Sequence, residues 1–284
     1  MVELTGGEWL DVNRAQWDEK VPLHLASEFY DQSALRAGAG RLYPIEEAEL
    51  SRVFPQGLEG LRVLHLQCHF GADSLVLAQR GATVVGVDFS KPAVMAAREL
   101  AASVGLSDRS RFVVSNVYDL RHMLPEPESF DVVYTTWGTI GWLPDVEEWA
   151  RLIAWFLKPG GTFYFADSHP LAWVFDNAEG DGEEGLPSFT FPYDTDGVAD
   201  EVDDASDYAT GLEVENTRSF EWMHPLGETL TALIDAGLAI DFMNEHYEVP
   251  FRMFEGLVPT PDRMFAWPDK KWLPLSMSLA ATRR

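Results

Sequence analysis

The sequence predicts an α/β fold, a mostly parallel sheet with helices on both faces. Two observations carry that reading. Residues 62–75 form a short apolar run, a tight turn and a helical apolar pattern. Gly81 stops that helix, and a second apolar run, 83–87, ends on the acid Asp88. The chain downstream then repeats the strand–loop–helix alternation. Such a unit presents backbone N–H groups at the turn and at the helix N-terminus to an anionic group. An acid at the end of the second strand accepts hydrogen bonds from ribose hydroxyls. A chance acid in an ordinary αβ unit would look the same locally, but the repetition favours a nucleotide-type cofactor.

Taken in order, residues 1–57 read as a helical N-terminal extension. Residues 13–19 hold Trp17 in a polar setting. Residues 23–30 are apolar and include His24, Glu28, Phe29 and Tyr30. Residues 45–53 read as a helix opened by Pro44, with Glu46 and Glu47 in its first turn. Aromatics in such an extension usually pack on the core, and some such segments cover a ligand.

After Asp88, Ser90 caps a helix with Pro92 in its first turn, and Val94, Ala97, Leu100, Ala101 and Val104 follow helical spacing. Residues 112–114 and 130–134 read as the third and fourth strands. Asp145 caps a helix with Val146, Trp149, Leu152, Ile153 and Phe156 on one face. Residues 162–166 read as the fifth strand, running into Asp167, Ser168, His169 and Pro170. Residues 176–217 change character to Asp, Glu and Gly without long periodicity. They read as an acidic insertion, partly hairpin and partly mobile. A helix at 226–236, a strand at 239–249 and a final strand at 275–282 complete a main domain spanning 58–284.

At 284 residues and 46% hydrophobic, the chain can bury a large core. The net charge of -25 argues against nucleic acid and anionic membranes as partners. Cys68 is the only cysteine, so no intramolecular disulfide forms. The first 20 residues carry no signal-peptide core, and no apolar run approaches membrane-spanning length. A soluble, cytoplasmic protein is expected, with its oligomeric state open.

Four stretches together resemble the class I S-adenosylmethionine-dependent methyltransferases. Residues 63–71, including Gln67, Cys68, His69 and Gly71, look like that family's first motif. Residues 85–90, with Asp88, Phe89 and Ser90, look like its acidic second loop. Residues 115–120, with Asn116 and Val117, look like the adenine-side loop. Residues 130–133 followed by 157–161 look like the fourth strand and the turn before the fifth. Two departures stand out. His65 occupies the usual acid of the first motif, with Gln67 and His69 at glycine positions. Asn116 replaces a common aspartate, although an amide oxygen still accepts a hydrogen bond.

The resemblance implies a Rossmann-like sheet of seven strands, the last antiparallel, with S-adenosyl-L-methionine lying across the carboxyl ends of the parallel strands. Asp88 would hold the ribose, and Gln67 to Gly71 the methionine part. Phe89 would pack on adenine, with Asn116 and Val117 at its edge. Thr135, Thr136 and Trp137 would line the sulfonium side. With glycines lost, the loop either keeps negative φ or shifts the cofactor.

Methyl transfer from a sulfonium needs an aligned acceptor and a dry site, and aromatic faces suit a nearby cation. Trp137 is the aromatic candidate. Trp142 and Trp173 read more readily as packing. His169, at the end of the fifth strand, is the candidate to contact a small-molecule acceptor as a base or donor; otherwise it caps a turn before Pro170. His65, Cys68 and His69 lack zinc spacing, so no metal is expected. A nicotinamide-dependent oxidoreductase would also use Asp88, but its glycine-rich fingerprint is missing. A non-catalytic protein that kept the fold is the third reading.

Overall fold

A computed structural model describes residues 2–176 and 187–284. Seven strands form the main sheet: β1 (Arg62–Leu66), β2 (Thr83–Asp88), β3 (Ser110–Val114), β4 (Phe130–Thr136), β5 (Leu157–Ser168), β6 (Leu238–His246) and β7 (Ser276–Arg283). Their order is β6-β7-β5-β4-β1-β2-β3. The first five pair in parallel, and β7 runs antiparallel to both β5 and β6. The strand order reverses between β1 and β4, and the carboxyl ends of strands at such a reversal are where open α/β sheets hold their ligands.

The principal helices are α1 (Glu8–Ala26), α2 (Pro44–Val53), α3 (Ala72–Gln79), α4 (Lys91–Ser103), α5 (Val146–Phe156) and α6 (Leu226–Asp235). Strand alternation sorts side chains onto two cores. Leu64, Leu66, Val133, Phe163 and Phe165 meet Trp149 and Ile153 of α5 and Leu233 of α6. Val63, Tyr134 and Tyr164 meet Leu75 of α3 and Val94 and Ala97 of α4. With both faces covered, the central strands read as near-continuous apolar runs.

Several boundaries differ from the sequence reading. The strand expected at 162–166 begins at Leu157, because the Lys-Pro-Gly-Gly stretch bulges between the Phe130–Leu157 and Val132–Thr162 pairs, with Gly160 at φ 79°, and the pairing with β4 continues on both sides. The strand expected at 239–249 ends at His246. Glu248–Val249 joins a separate small sheet with Phe265–Ala266 and Val258–Pro259, around Phe254, Leu257 and Leu275.

In the insertion, Asp200–Asp203 pairs antiparallel with Arg218–Glu221. Residues 177–186, which fall in the stretch expected to be mobile, lie outside the described residues. The pair is held chiefly by α1. Asn13 donates to the Phe220 carbonyl at 2.8 Å and accepts from the Phe220 N–H at 2.7 Å. Glu19 accepts the N–H groups of Glu215 and Asn216 at 2.6 and 2.9 Å. Of α1's buried residues, Asn13, Gln16, Lys20 and His24 share one helical face with Trp9, so that face is polar beyond its first turn.

Candidate active site

The loop after β1 keeps the backbone of a glycine-rich turn without its glycines. Gln67 has φ 54° and His69 has φ 51°, followed by Gly71 at 75°. Of the two expectations for this loop, negative φ is therefore excluded. Each left-handed non-glycine residue costs about 1–2 kcal/mol, so the loop needs local restraints. Asp88 supplies one: its carboxylate accepts the His69 N–H at 2.7 Å and the Ser90 N–H at 2.9 Å. Burial raises the Asp88 carboxyl to about 6 despite those bonds, and the charge of Asp18 on α1 adds to the rise. Gln67 supplies another by donating to the Thr139 carbonyl at 2.8 Å. Asp167, at the end of β5, holds that neighbouring loop. It accepts the Gly138 and Thr139 N–H groups at 2.6 and 2.9 Å and the Thr139 hydroxyl at 2.9 Å.

The other residues assigned from sequence fall as follows. Gly71 packs against Phe112, whose Cε1 would lie 2.5 Å from an added Cβ. Cys68 is buried with its thiol pushed up by burial and faces the core beside Gly86, while its N–H goes to the Val87 carbonyl and its carbonyl accepts the Gly71 N–H, both at 2.9 Å. Phe89 packs on the α5-side core, and Ser90 caps α4 by accepting the Ala93 N–H at 3.2 Å. Asn116 accepts the Tyr118 N–H at 3.3 Å and donates to the Leu4 carbonyl at 2.7 Å, while Val117 lies buried beside it. Thr135 and Thr136 end β4, buried.

The two catalytic candidates have separate partners. Trp137, with φ 57°, donates its indole N–H to Glu46 at 2.8 Å. Glu46, on α2, also accepts from the Tyr134 hydroxyl and the Tyr43 N–H, and burial followed by the charge of Asp73 pushes its carboxyl upward. His169 is buried. Its Nδ1 accepts the Leu171 N–H at 3.1 Å, and its Nε2 lies 3.3 Å from Glu245 on β6, without the alignment of a hydrogen bond. Burial holds the ring's pKa below the ordinary histidine value, against the pull of Glu245. His65, at the motif's acid position, has its Nδ1 2.8 Å from Ser74 Oγ, and burial lowers its pKa to about 3.

The polar atoms at these strand ends suit a cofactor with polar groups. Buried polar atoms carry a free-energy cost unless something pairs with them. Gln67 Oε1, Thr135 Oγ1, Thr136 Oγ1 and Ser168 Oγ are buried without a partner among the described residues, and all four residues stand at the carboxyl ends of β1, β4 and β5. Asp18 Oδ1 on α1 is a fifth such atom. Asp88 retains free lone pairs on both carboxylate oxygens for hydroxyl donors.

Residues 64–165 match a family model described as a methyltransferase domain. That segment runs from β1 into β5, and over it the chain is similar to the S-adenosylmethionine-dependent methyltransferases. It is 30% identical over 166 residues to a ubiquinone biosynthesis O-methyltransferase from Idiomarina loihiensis, covering 53% of this chain and 65% of that protein. It is 34% identical over 109 residues to methyltransferase GfsG from Streptomyces halstedii, covering 38% of each. The chain thus spans less than two thirds of these relatives. Among solved structures, an S-adenosylmethionine-dependent methyltransferase from Mesorhizobium loti superposes with a TM-score of 0.56 at 22% identity, covering 84% of this chain and 97% of that one. Geranyl diphosphate C-methyltransferase from Streptomyces coelicolor A3(2) gives 0.56 at 14%, covering 99% and 100%. At these identities the likeness is one of fold. Among the described residues, no helix is long and apolar enough to cross a membrane.

Residues 4–24, in contrast to the parallel core, gave little warning of their place. Leu4 and Trp9 belong to the same core as Phe89, Val117 and Ile140, and the Leu4 carbonyl accepts the Asn116 amide at 2.7 Å. Trp17 sets its ring edge-on to His69 and Trp142 at 5.6 and 5.4 Å. This segment therefore covers the residues assigned to the cofactor. The polar face of α1, legible as the spacing 13, 16, 20, 24, is the signal that hydrophobic periodicity passes over.

Proposed function

We propose that this chain binds S-adenosyl-L-methionine at the carboxyl ends of β1 and β4 and transfers its methyl group to a small-molecule acceptor. The observation that carries the reading is the row of unpartnered buried polar atoms at the strand ends, flanked by Asp88. When bound, the cofactor supplies an electrophilic methyl group on a sulfonium, which needs alignment more than activation. Asp88 would accept from both ribose hydroxyls while still fixing the loop. Thr135, Thr136 and Trp137 would line the sulfonium side, with the Trp137 plane set by Glu46. The cover formed by residues 4–24 would exclude water. His169 would meet the acceptor on the β5 side. Because its Nδ1 already accepts a backbone N–H, the proton sits on Nε2, which favours the donor role over the base role.

A screen of small amines, phenols and carboxylates with methyl-labelled cofactor tests the reading. Label transfer to an acceptor supports it. Binding of NAD instead of S-adenosylmethionine would replace it with the oxidoreductase reading. His169→Ala should lower transfer while leaving cofactor affinity within about twofold.

A further inference from the structure

His69 stands where the fold favours glycine, and its ring begins a hydrogen-bonded chain that the proposed chemistry does not use. Its Nδ1 accepts the Phe70 N–H at 2.7 Å, so the ring proton sits on Nε2. That Nε2 lies 2.9 Å from His24 Nδ1, which must accept. His24 then donates from Nε2 to Asp207 at 2.7 Å, and both side chains are fully buried. The other Asp207 oxygen accepts the Thr210 N–H and hydroxyl at 2.9 and 2.7 Å. Every proton in the chain thus has one direction. The rings of His24 and His69 stack at 5.0 Å, with Tyr30 packed nearly parallel to both. His24 lies on α1, His69 on the cofactor loop and Asp207 on the acidic insertion, so three distant segments meet at one point.

We propose that this His69–His24–Asp207 chain does the work of the missing glycine. It tethers the loop in its left-handed form from outside the sheet, which makes His24 and Asp207 positioning residues for the cofactor. The inference rests on the cofactor reading above. Backbone and side chain act in series: Asp88 pins the His69 N–H, and His24 pins the ring. A glycine reaches the same φ without help and needs no tether. The N-terminal helix and the insertion are thereby coupled to the loop that would receive the cofactor.

Two measurements on the full chain test this. Amide exchange of the peptide covering residues 66–73, without cofactor, should quicken in His24→Ala while β4 and β5 keep their protection. Unchanged exchange overturns the tether. Calorimetry with S-adenosylhomocysteine should show His24→Ala weakening binding about tenfold, with little further effect when His69→Gly is already present. An equal loss in both backgrounds, or no loss in either, overturns the positioning role. Asp207→Ala should follow His24→Ala in both measurements, and a variant that leaves the loop unaffected counts against the chain. If the unmodified protein binds no S-adenosylhomocysteine, the functional reading fails, while the exchange experiment still judges the tether.

Discussion

Gly71→Ala tests how the cofactor loop is packed onto the sheet. An alanine there would hold a left-handed φ of 75°, at a cost of about 1–2 kcal/mol. Its Cβ would also stand 2.5 Å from Phe112 Cε1 and 3.0 Å from Ala97 Cβ. Phe112 is buried and in contact with a second glycine, Gly86, where an added Cβ would lie 2.6 Å from its ring. The ring has little room to yield, so overpacking adds about 1–3 kcal/mol. The sum is about 2–5 kcal/mol, and a chain of this size should lose roughly 3–8 °C in Tm. Gly86→Ala carries the packing cost alone, about 1–3 kcal/mol. Calorimetric melting of both variants, alone and with Phe112→Leu, separates the two costs. In the Phe112→Leu background the Gly86→Ala penalty should shrink to what Cys68 Sγ, 2.9 Å from the added Cβ, still imposes, and Gly71→Ala should retain at least about 1–2 kcal/mol. Equal penalties with and without the ring would refute the close packing of Phe112 on the two glycines, as would an unchanged Tm in Gly71→Ala.

Three further outcomes follow. Burial lowers the His65 ring to about 3, so the unfolded chain takes up that proton first. Its contribution is complete above about pH 6.5 and falls away below it, by about 2 kcal/mol on going to pH 5. His65→Asn should flatten the acid slope of a stability–pH curve, and an identical slope contradicts this. The Glu46 carboxyl is raised by burial, so the folded chain holds its proton more tightly and stability declines as pH climbs above the ordinary carboxylate range. Glu46→Gln should match the native protein in urea unfolding at pH 5 and exceed it at pH 8.5; lower stability at both pH values rejects the account. Asp167→Ala should release the Gly138 and Thr139 N–H groups together, lowering stability by about 2–4 kcal/mol and weakening cofactor binding. An unchanged melt would show that the loop stands without it.

The sequence made the parallel core legible because its signals are local. Val63, Leu64 and Leu66 form an apolar run closed by a turn, Ser90 caps its helix, and Gly81 ends another. Asp88 was legible as an acid at a strand end. The loop's conformation was not, because Gln67 and His69 favour negative φ by themselves and adopt the opposite only under restraints from Asp88, Thr139 and His24. The restraint from His24 lies on α1, whose buried residues mix Asn13, Gln16, Lys20 and His24 with Trp9, Leu10 and Val21, so the hydrophobic period is broken there. Asp207 sits in an acidic stretch where nothing local marks one carboxylate for burial. The Asp200–Asp203 and Arg218–Glu221 pair owes its order to Asn13, a partner more than two hundred residues away.

The central claim is that Asp88 and the left-handed loop form a binding site for S-adenosyl-L-methionine. Calorimetric titration of the native protein and Asp88→Ala with S-adenosylhomocysteine tests it most directly. Micromolar binding by the native protein is expected, about 7–9 kcal/mol. Asp88→Ala should bind 1.5–3 kcal/mol more weakly, roughly 10- to 150-fold in Kd, through loss of the charge-assisted bonds to the ribose. An affinity that ignores the substitution, or a native protein that gives no binding heat and no shift in Tm with the ligand, would contradict the account.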